Sequence, residues 1–509
     1  MASVNKTLHD PAARTLWADL PDLVPLVKTF PEDAWETQGY QIHLSRTLSL
    51  SDWASFLKYC RFVKTLGLVP RHESGSNCAR TDLKLNFLAL VEICAMRPVF
   101  VLLPCLRSFN WRALNLLDKT MPVFLSLVGE SLRRAQVDFE RLGYDNRTAV
   151  SCALTTLSQH SPLLQRLEIG LASGLSVWAA LEGFKTLKVF KYVTVPLTDT
   201  GMKTLASLPA LTECAVALPK RPSFLENINQ TVFPRLEKLS VAGTVDAYGP
   251  FSRAALFPAV THFDFDITMV PRVRDLYRLF YAIRRQLCPE RLEHLKVFTT
   301  IKPRASPDSE ITTGENDARA IVRSTHFGSL FEFVRLRSFD FGPSWTYQVD
   351  DELFASMAKA WPLLETLSFG AASTCIHLPG GPTLRALSPF AVHCPNLKAI
   401  ALHLDASELS ADKEVTDDLY GELWADGRRT RSTSKVTRLR LQTSPIGLPR
   451  EVAKFLSMVF PDLERVDASD SYYEETPGRK ILRQTRQRKW GEVRQYIGLM
   501  RAARLDERY

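Results

Sequence analysis

The residues best suited to chemistry in this 509-residue sequence are two aspartates, Asp264 and Asp266, in the string Phe-Asp-Phe-Asp. On a β-strand they would share one face at roughly 6.5–7 Å, a spacing that suits a pair of carboxylates acting as acid and base. The same alternation places Phe263 and Phe265 inward in a hydrophobic core and leaves the aspartates in solvent. We favour this second interpretation and predict no catalytic residue.

The sequence contains no other string that a common catalytic or ligand site requires. It has no phosphate-binding loop, dinucleotide-binding glycine string, His-Glu-x-x-His zinc motif or Gly-x-Ser-x-Gly nucleophile motif. The ten histidines are dispersed, and the nine cysteines include no Cys-x-x-Cys pair. We therefore predict no metal and no cofactor, and we expect reduced, mostly buried thiols.

A repeated apolar pattern predicts where the polar side chains lie. Twelve places in the sequence read Pro-x-Leu or Pro-x-Val, and in eight of them apolar residues follow at the third and fifth positions after that Leu or Val. With an apolar fraction of 45%, chance predicts about two of the twelve. With weaker matches the pattern predicts fourteen short strands, which start at Val63, Leu106, Leu132, Leu164, Leu187, Leu211, Leu236, Val260, Leu292, Leu336, Leu364, Leu397, Val436 and Leu463.

The spacing of these strands is typical of leucine-rich repeats. Between Leu164 and Val260 the steps are 23 to 25 residues. A single repeat cannot bury its apolar strand face, so similar units must stack to form a continuous core. We predict an α/β leucine-rich-repeat solenoid, with a curved parallel sheet on the concave side and helices on the convex side, preceded by a short helical N-terminal segment.

Outward positions of the predicted strands form the candidate binding surface. In each repeat these are the third, fifth and seventh residues, and stacking would align them in columns on the concave face. The candidate protein-binding residues are Arg166, Glu168, Lys191, His262, Asp264, Asp266, His294, Lys296, Asp340, Arg438, Arg440, Arg465 and Asp467. Their mixed charge suits recognition of a protein and disfavours a groove that follows nucleic-acid phosphates.

Most of the net charge of +9 lies in the last 32 residues. From Gly478 to Tyr509 there are ten Lys or Arg and three Asp or Glu, so the remaining 477 residues carry only +2. Trp490, Val493, Ile497 and Met500 form one apolar stripe at helical spacing. We favour a terminal helix that caps the last repeat, and nucleic-acid or acidic-surface binding and membrane contact remain as alternatives.

Neither a signal peptide nor a membrane span is readable in the sequence. Residues 1–17 contain no apolar core of 7–15 residues, and the most apolar stretch, Leu85 to Leu106, is interrupted by Glu92, Arg97 and two prolines. We expect an intracellular protein, cytoplasmic or nuclear, that makes no membrane contact.

The two ends of the chain carry further patterns. The chain opens with Asp10-Pro11, Leu16-Trp17, Leu20, Leu23, Pro25-Leu26 and Pro31, continues through a polar link over residues 43–66, and closes with Trp490-Gly-Glu-Val493 and Arg501-Ala-Ala-Arg504-Leu-Asp-Glu507. With the repeats, these patterns resemble the fungal F-box proteins that carry C-terminal leucine-rich repeats, with the F-box itself absent or truncated.

The resemblance implies a substrate receptor of a cullin-type ubiquitin ligase. In that family the F-box helices bind the ligase adaptor and the repeats select the target, so a chain without the F-box would be a truncated relative that does not bind the adaptor. It also implies three segments: 1–58, a helical segment similar to the end of an F-box and its linker; 59–475, the solenoid; and 476–509, a basic amphipathic helix. The alternative function is a repeat scaffold whose basic tail binds nucleic acid or acidic surfaces.

Overall fold

The structure is a computed structural model, and it forms two compact units. It describes residues 6–67, 83–112, 126–139, 147–171, 177–219, 230–269, 273–299, 321–343, 345–370, 376–377, 380–409, 423, 432–441, 444–468 and 477–506. Unit 1 is Met1–Ala217 and unit 2 is Leu218–Tyr509.

Unit 1 contains a main parallel sheet and, separately, a small sheet. The strands of the unit are β1 Asp19–Leu20, β2 Trp35–Gln38, β3 Gln41–Leu44, β4 Thr65–Leu66, β5 Lys84–Leu85, β6 Ser108–Arg112, β7 Arg134–Phe139, β8 Arg166–Leu171, β9 Val189–Pro196 and β10 Glu213–Ala217. The small sheet consists of β2, β3 and β5. The helices of the unit are α1 Lys6–Leu16, α2 Val24–Val27, α3 Trp53–Cys60, α4 Phe87–Ala95, α5 Arg147–His160, α6 Trp178–Leu181 and α7 Asp199–Ser207. Within the described residues the order of the main sheet is β1-β4-β6-β7-β8-β9-β10, with every neighbouring pair parallel.

Unit 2 repeats this design. Its strands are β11 Thr231–Val232, β12 Lys238–Gly243, β13 Ala255–Leu256, β14 His262–Ile267, β15 His294–Phe298, β16 Ile321–Arg323, β17 Ser338–Phe341, β18 Thr346–Gln348, β19 Thr366–Phe369, β20 Ile376–His377, β21 Ala399–Leu402, β22 Arg438–Arg440 and β23 Arg465–Asp467. Its helices are α8 Val245–Ala254, α9 Val273–Gln286, α10 Asp351–Ala360, α11 Ser388–His393, α12 Pro449–Val459 and α13 Pro477–Asp506. In the described part of this unit the main sheet runs β12-β14-β15-β17-β19-β21-β22-β23, all parallel.

All fourteen predicted strands are present in these two sheets. The Leu or Val that starts each predicted segment is at most 4% exposed. Helices pack on the inward face of the strands: the ring of Tyr248 in α8, for example, lies 4.9 Å from the ring of Phe265 in β14. The predicted α/β leucine-rich-repeat fold is therefore confirmed in each unit.

The prolines that mark the repeats lie in turns just before the strands. In seven of the eight Pro-marked segments the residue before proline accepts a backbone hydrogen bond from the repeat's first Leu or Val, at 3.1–3.5 Å. Proline thus occupies the second position of a β-turn, which its fixed φ suits and where no amide hydrogen is needed. Each strand begins four residues after its proline, as β6 at Ser108 does after Pro104.

The N-terminal segment is not purely helical. Residues 6–58 include α1, α2 and most of α3, but β2 and β3 form an antiparallel hairpin, and β1 pairs in parallel with β4 at the end of the main sheet. The predicted boundaries at 58 and 475 remain predictions, and the division between units at Ala217 falls inside the predicted solenoid.

The C-terminal helix α13 packs on the last repeat. Trp490, Val493 and Ile497 are buried, and the Trp490 indole donates a hydrogen bond to the Ser444 carbonyl at 3.0 Å. Arg504 donates to the Pro461 carbonyl at 2.9 Å. In the same helix, Arg501 pairs with Glu464 at 2.7 Å, and Lys489 donates to the Gly447 carbonyl at 3.0 Å. These contacts support the capping role, because an uncovered terminal repeat would expose its core.

We expect Leu239→Asp to destabilise unit 2. Leu239 is 3% exposed, and a carboxylate there would be buried without a partner, at a cost of roughly 3–5 kcal/mol. Thermal and urea melts of the whole chain measure the effect. The control is Lys238→Asp at the exposed preceding position, for which we expect little change. A Leu239→Asp protein with the melting temperature and urea midpoint of the wild type would contradict the placement of the Leu239 side chain in the core.

Trp490→Ala tests the cap. Removing this fully buried side chain and its hydrogen bond to Ser444 is expected to cost about 3–5 kcal/mol, which should appear as a lower urea midpoint and faster amide exchange in α12 and α13. Arg488→Ala is the matched change on the exposed side of the same helix and should be nearly neutral. Equal stability of the two variants would show that the helix does not cap the core.

Candidate functional site

The candidate site is the face of each main sheet that points away from the buried core. We call this the open face and define it by the outward residues of the strands, which alternate with the buried ones. In β14, for example, Phe263, Phe265 and Ile267 are buried, whereas the three residues that alternate with them are half-buried. The predicted candidates Arg166, Glu168 and Lys191 lie on the open face of unit 1, and the other ten lie on that of unit 2.

Strand register in unit 2 aligns the predicted residues into two columns. The first column is Lys238, His262, His294, Ser338, Thr366, Ala399, Arg438 and Arg465. The second column is Ser240, Asp264, Lys296, Asp340, Ser368, Ala401, Arg440 and Asp467. Asp266 lies beyond the second column, between Ala242 and Phe298. The predicted alignment of these side chains is thus observed, and their binding role remains a prediction.

Four charged side chains on the open face of unit 1 form ion pairs with one another. Arg166 donates two hydrogen bonds to one oxygen of Glu168, at 2.8 and 2.6 Å. Lys191 lies 3.6 Å from Glu168 and 3.5 Å from Glu213 on the next strand. The four side chains are about one quarter to two fifths exposed. Such pairs contribute only about 0.2–1 kcal/mol each, but they hold the side chains in one arrangement.

A cavity of about 440 Å³ adjoins this cluster in unit 1. Its lining residues are Thr65, Gly67, Ser108, Phe109, Asn110, Arg134, Ala135, Gln136, Arg166 and Glu168. Strand β4 stops at Gly67, where φ is +85° and an added Cβ would lie 2.1 Å from the Asn110 carbonyl oxygen. Only glycine fits this position. The cavity gives the open face of unit 1 a concave region that both polar and apolar groups line.

A second line of charges, at the edge of the open face in unit 2, was missed by the sequence analysis. Arg337 lies 3.6 Å from Glu293 and 2.9 Å from Glu365, and Lys398 lies 2.8 Å from Glu365. Hydrogen bonds from Lys398 and then Arg337 hold the pKa of Glu365 below its usual range. The signal is present in the sequence, because these are the second residues of four successive repeats and their charges alternate in sign.

The two histidines of the first column form a stacked pair. The rings of His262 and His294 are 4.0 Å apart with an interplanar angle of 18°. The His262 Nδ1 atom is 2.8 Å from the Thr261 hydroxyl. Burial lowers the pKa of His294 below its ordinary value, and the nearby Glu293 raises it by less. The stacked rings present a flat aromatic surface on the open face.

The described residues contain no group of three or more His, Cys, Asp or Glu side chains that could hold a metal ion. Asp264 and Asp266 are half-buried on the open face rather than fully in solvent, and Phe263 and Phe265 are buried in the core. The seven cysteines in the described ranges are unpaired, four of them buried, and burial raises the pKa of the Cys214 thiol to about 12, which makes it a poor nucleophile at neutral pH.

The described residues contain no helix that could span a membrane, because none combines the length and the apolar character needed to cross a bilayer.

Comparisons with known proteins identify similar solved structures only. No protein-family model and no curated protein matches the chain. It is similar to an internalin from Listeria monocytogenes (11% identity, TM-score 0.34, covering 85% of this chain and 87% of that one) and to a leucine-rich-repeat protein from Leptospira interrogans (13%, 0.30, 76% and 90%). It is also similar to a structure of the yeast Rad7 and Elc1 complex (15%, 0.30, 71% and 83%). At these TM-scores, the leucine-rich-repeat assignment rests on the strand register and burial described above.

Proposed function

We propose that this chain is a non-enzymatic recognition protein that binds a partner protein on its open faces. The observation that carries the proposal is the pair of polar columns in unit 2, which strand register aligns above a continuous apolar core. The columns contain cations, carboxylates, hydroxyls and stacked imidazoles within a few strands. Such a mixed surface can complement one protein surface and reject others through charge mismatch.

A folded partner or peptide fits this surface better than a nucleic acid does. Asp264, Lys296 and Asp340 are consecutive members of one column, with Lys296 3.6 Å from Asp340. A phosphate backbone needs a groove of one sign, and the carboxylates of this column would repel it. The basic C-terminal helix directs Lys489, Arg501 and Arg504 into bonds within the chain, which favours its capping role over binding.

The finer proposal is that the partner is the substrate of a cullin-type ubiquitin ligase. Support for it comes from the resemblance of the sequence to fungal F-box proteins with leucine-rich repeats. The open faces would then select the target, and an F-box would connect the chain to the ligase adaptor.

A charge swap on the open face tests the recognition role. Asp264→Lys with Lys296→Glu keeps the net charge and reverses the pattern of the second column. The matched control swaps exposed charges on the helices, Arg278→Glu with Glu352→Lys. We expect quantitative affinity capture from the source cells to recover the same specific partner proteins with the wild type and the control. With the open-face swap, the captured amount of these partners should be at least about tenfold lower. If both variants have the melting temperature of the wild type, capture that is unaffected by the swap would overturn the proposal.

The ligase role has its own test. Purified ligase adaptor is mixed with this chain and with a version extended by the sequence encoded upstream of Met1. Binding by either version supports the receptor role. Failure of both would rule that role out and leave recognition by the open face intact.

A further inference from the structure

Three arginines form an exposed cluster on the open face of unit 2. Arg438 and Arg440 lie on β22, and Arg465 on β23 is the register partner of Arg438. All three are exposed, and none is within 4.0 Å of a carboxylate among the described residues. By contrast, the open-face cation Lys296 lies 3.6 Å from Asp340. The cluster therefore holds positive charge that the described part of unit 2 does not neutralise by ion pairing.

The spacing within the cluster matches an extended peptide. Arg438 and Arg440 are two residues apart on one strand, so their side chains share a face at roughly 6.5–7 Å. In an extended peptide, side chains on one face recur at the same interval. Arg465 is across from Arg438 at the interstrand distance of about 4.8 Å, so both can reach the same carboxylate. Acidic residues at alternate positions of an extended segment would thus meet the cluster in register.

The surroundings of the cluster distinguish between anionic partners. On the β21 side the register partners are Ala399 and Ala401, whose small side chains leave the guanidinium groups accessible. Asp467 opposes Arg440 on β23, which limits the net charge of the four residues to +2. Farther along the same face Asp264, Asp266 and Asp340 carry negative charge. A short acidic segment fits this confined positive area, whereas a long phosphate backbone does not.

We propose that Arg438, Arg440 and Arg465 bind an acidic segment of the partner protein, in extended conformation, through carboxylates at alternate positions. Guanidinium groups suit this task because each presents several donors in a plane that matches a carboxylate. The inference rests on the proposed function and specifies the chemistry of the partner at one end of unit 2.

A defined peptide tests this inference. The probe is a fluorescein-labelled 12-residue peptide in which glutamate alternates with serine, and its binding to the whole chain is measured by fluorescence anisotropy at low salt. We expect Arg438→Gln/Arg440→Gln/Arg465→Gln to weaken binding by about tenfold or more, because three charge-assisted contacts are lost. The control is Arg253→Gln/Arg278→Gln/Arg285→Gln, which removes three exposed arginines from α8 and α9 and should change affinity less than twofold.

The inference would be overturned if the wild type did not bind the peptide at low salt, or if the two triple variants lost equal affinity, which would show non-specific attraction. It would also be overturned if a peptide of the same composition with its glutamates in one block bound equally well. The last contrary outcome is a short DNA duplex that binds more tightly than the peptide and loses its affinity only in the open-face variant. None of these outcomes bears on the Asp264 and Lys296 charge swap. If that swap still removes the cellular partners, the proposed function survives the failure of this inference.

Discussion

The structure depends on burial of an apolar strand face that no single repeat can cover. The Leu or Val at the start of each repeat is buried, and so are the apolar residues at +3 and +5 wherever the structure describes their side chains, for example Leu295 and Val297. Each such side chain contributes about 1.5–3 kcal/mol when it leaves water. A slip of one residue in register would send these side chains to the solvent and bring charged ones into the core. The inward residues therefore determine which side chains appear on the open face and in what order.

The turn before each strand connects neighbouring repeats. Trp361, which precedes a repeat-marking proline, is buried, and its indole donates a hydrogen bond to the Leu330 carbonyl at 3.3 Å. The Cys394 thiol, before the next such proline, donates to the Trp361 carbonyl at 3.5 Å. Because Trp361 and Cys394 each contact the preceding repeat, their turns help to hold neighbouring repeats in register. The position of proline is thus tied to packing as well as to backbone geometry.

Much of the fold and the placement of the site could be predicted from the sequence, since both follow from a period-2 pattern repeated many times. The expected outward positions of His262, Asp264 and Lys296 needed only that alternation. Strand β1 was missed because a strand of two residues, Asp19 and Leu20, shows no period. The ion pair between Lys191 and Glu168 joins two strands and depends on side-chain rotamers and on strand pairing, so it could not be predicted from the spacing of residues along the sequence.

Charged side chains on the open faces differ in whether they already form ion pairs within the chain. Those that do are less available to a partner than those that do not. The carboxylate of Glu168 already accepts hydrogen bonds from Arg166, and Glu365 accepts them from Arg337 and Lys398. A partner that used those groups would first have to replace these bonds, so the gain in free energy would be small. Arg438, Arg440 and Arg465 have no such pair to break among the described residues. Under the proposed function, their interaction with an incoming carboxylate would therefore add to the binding energy directly.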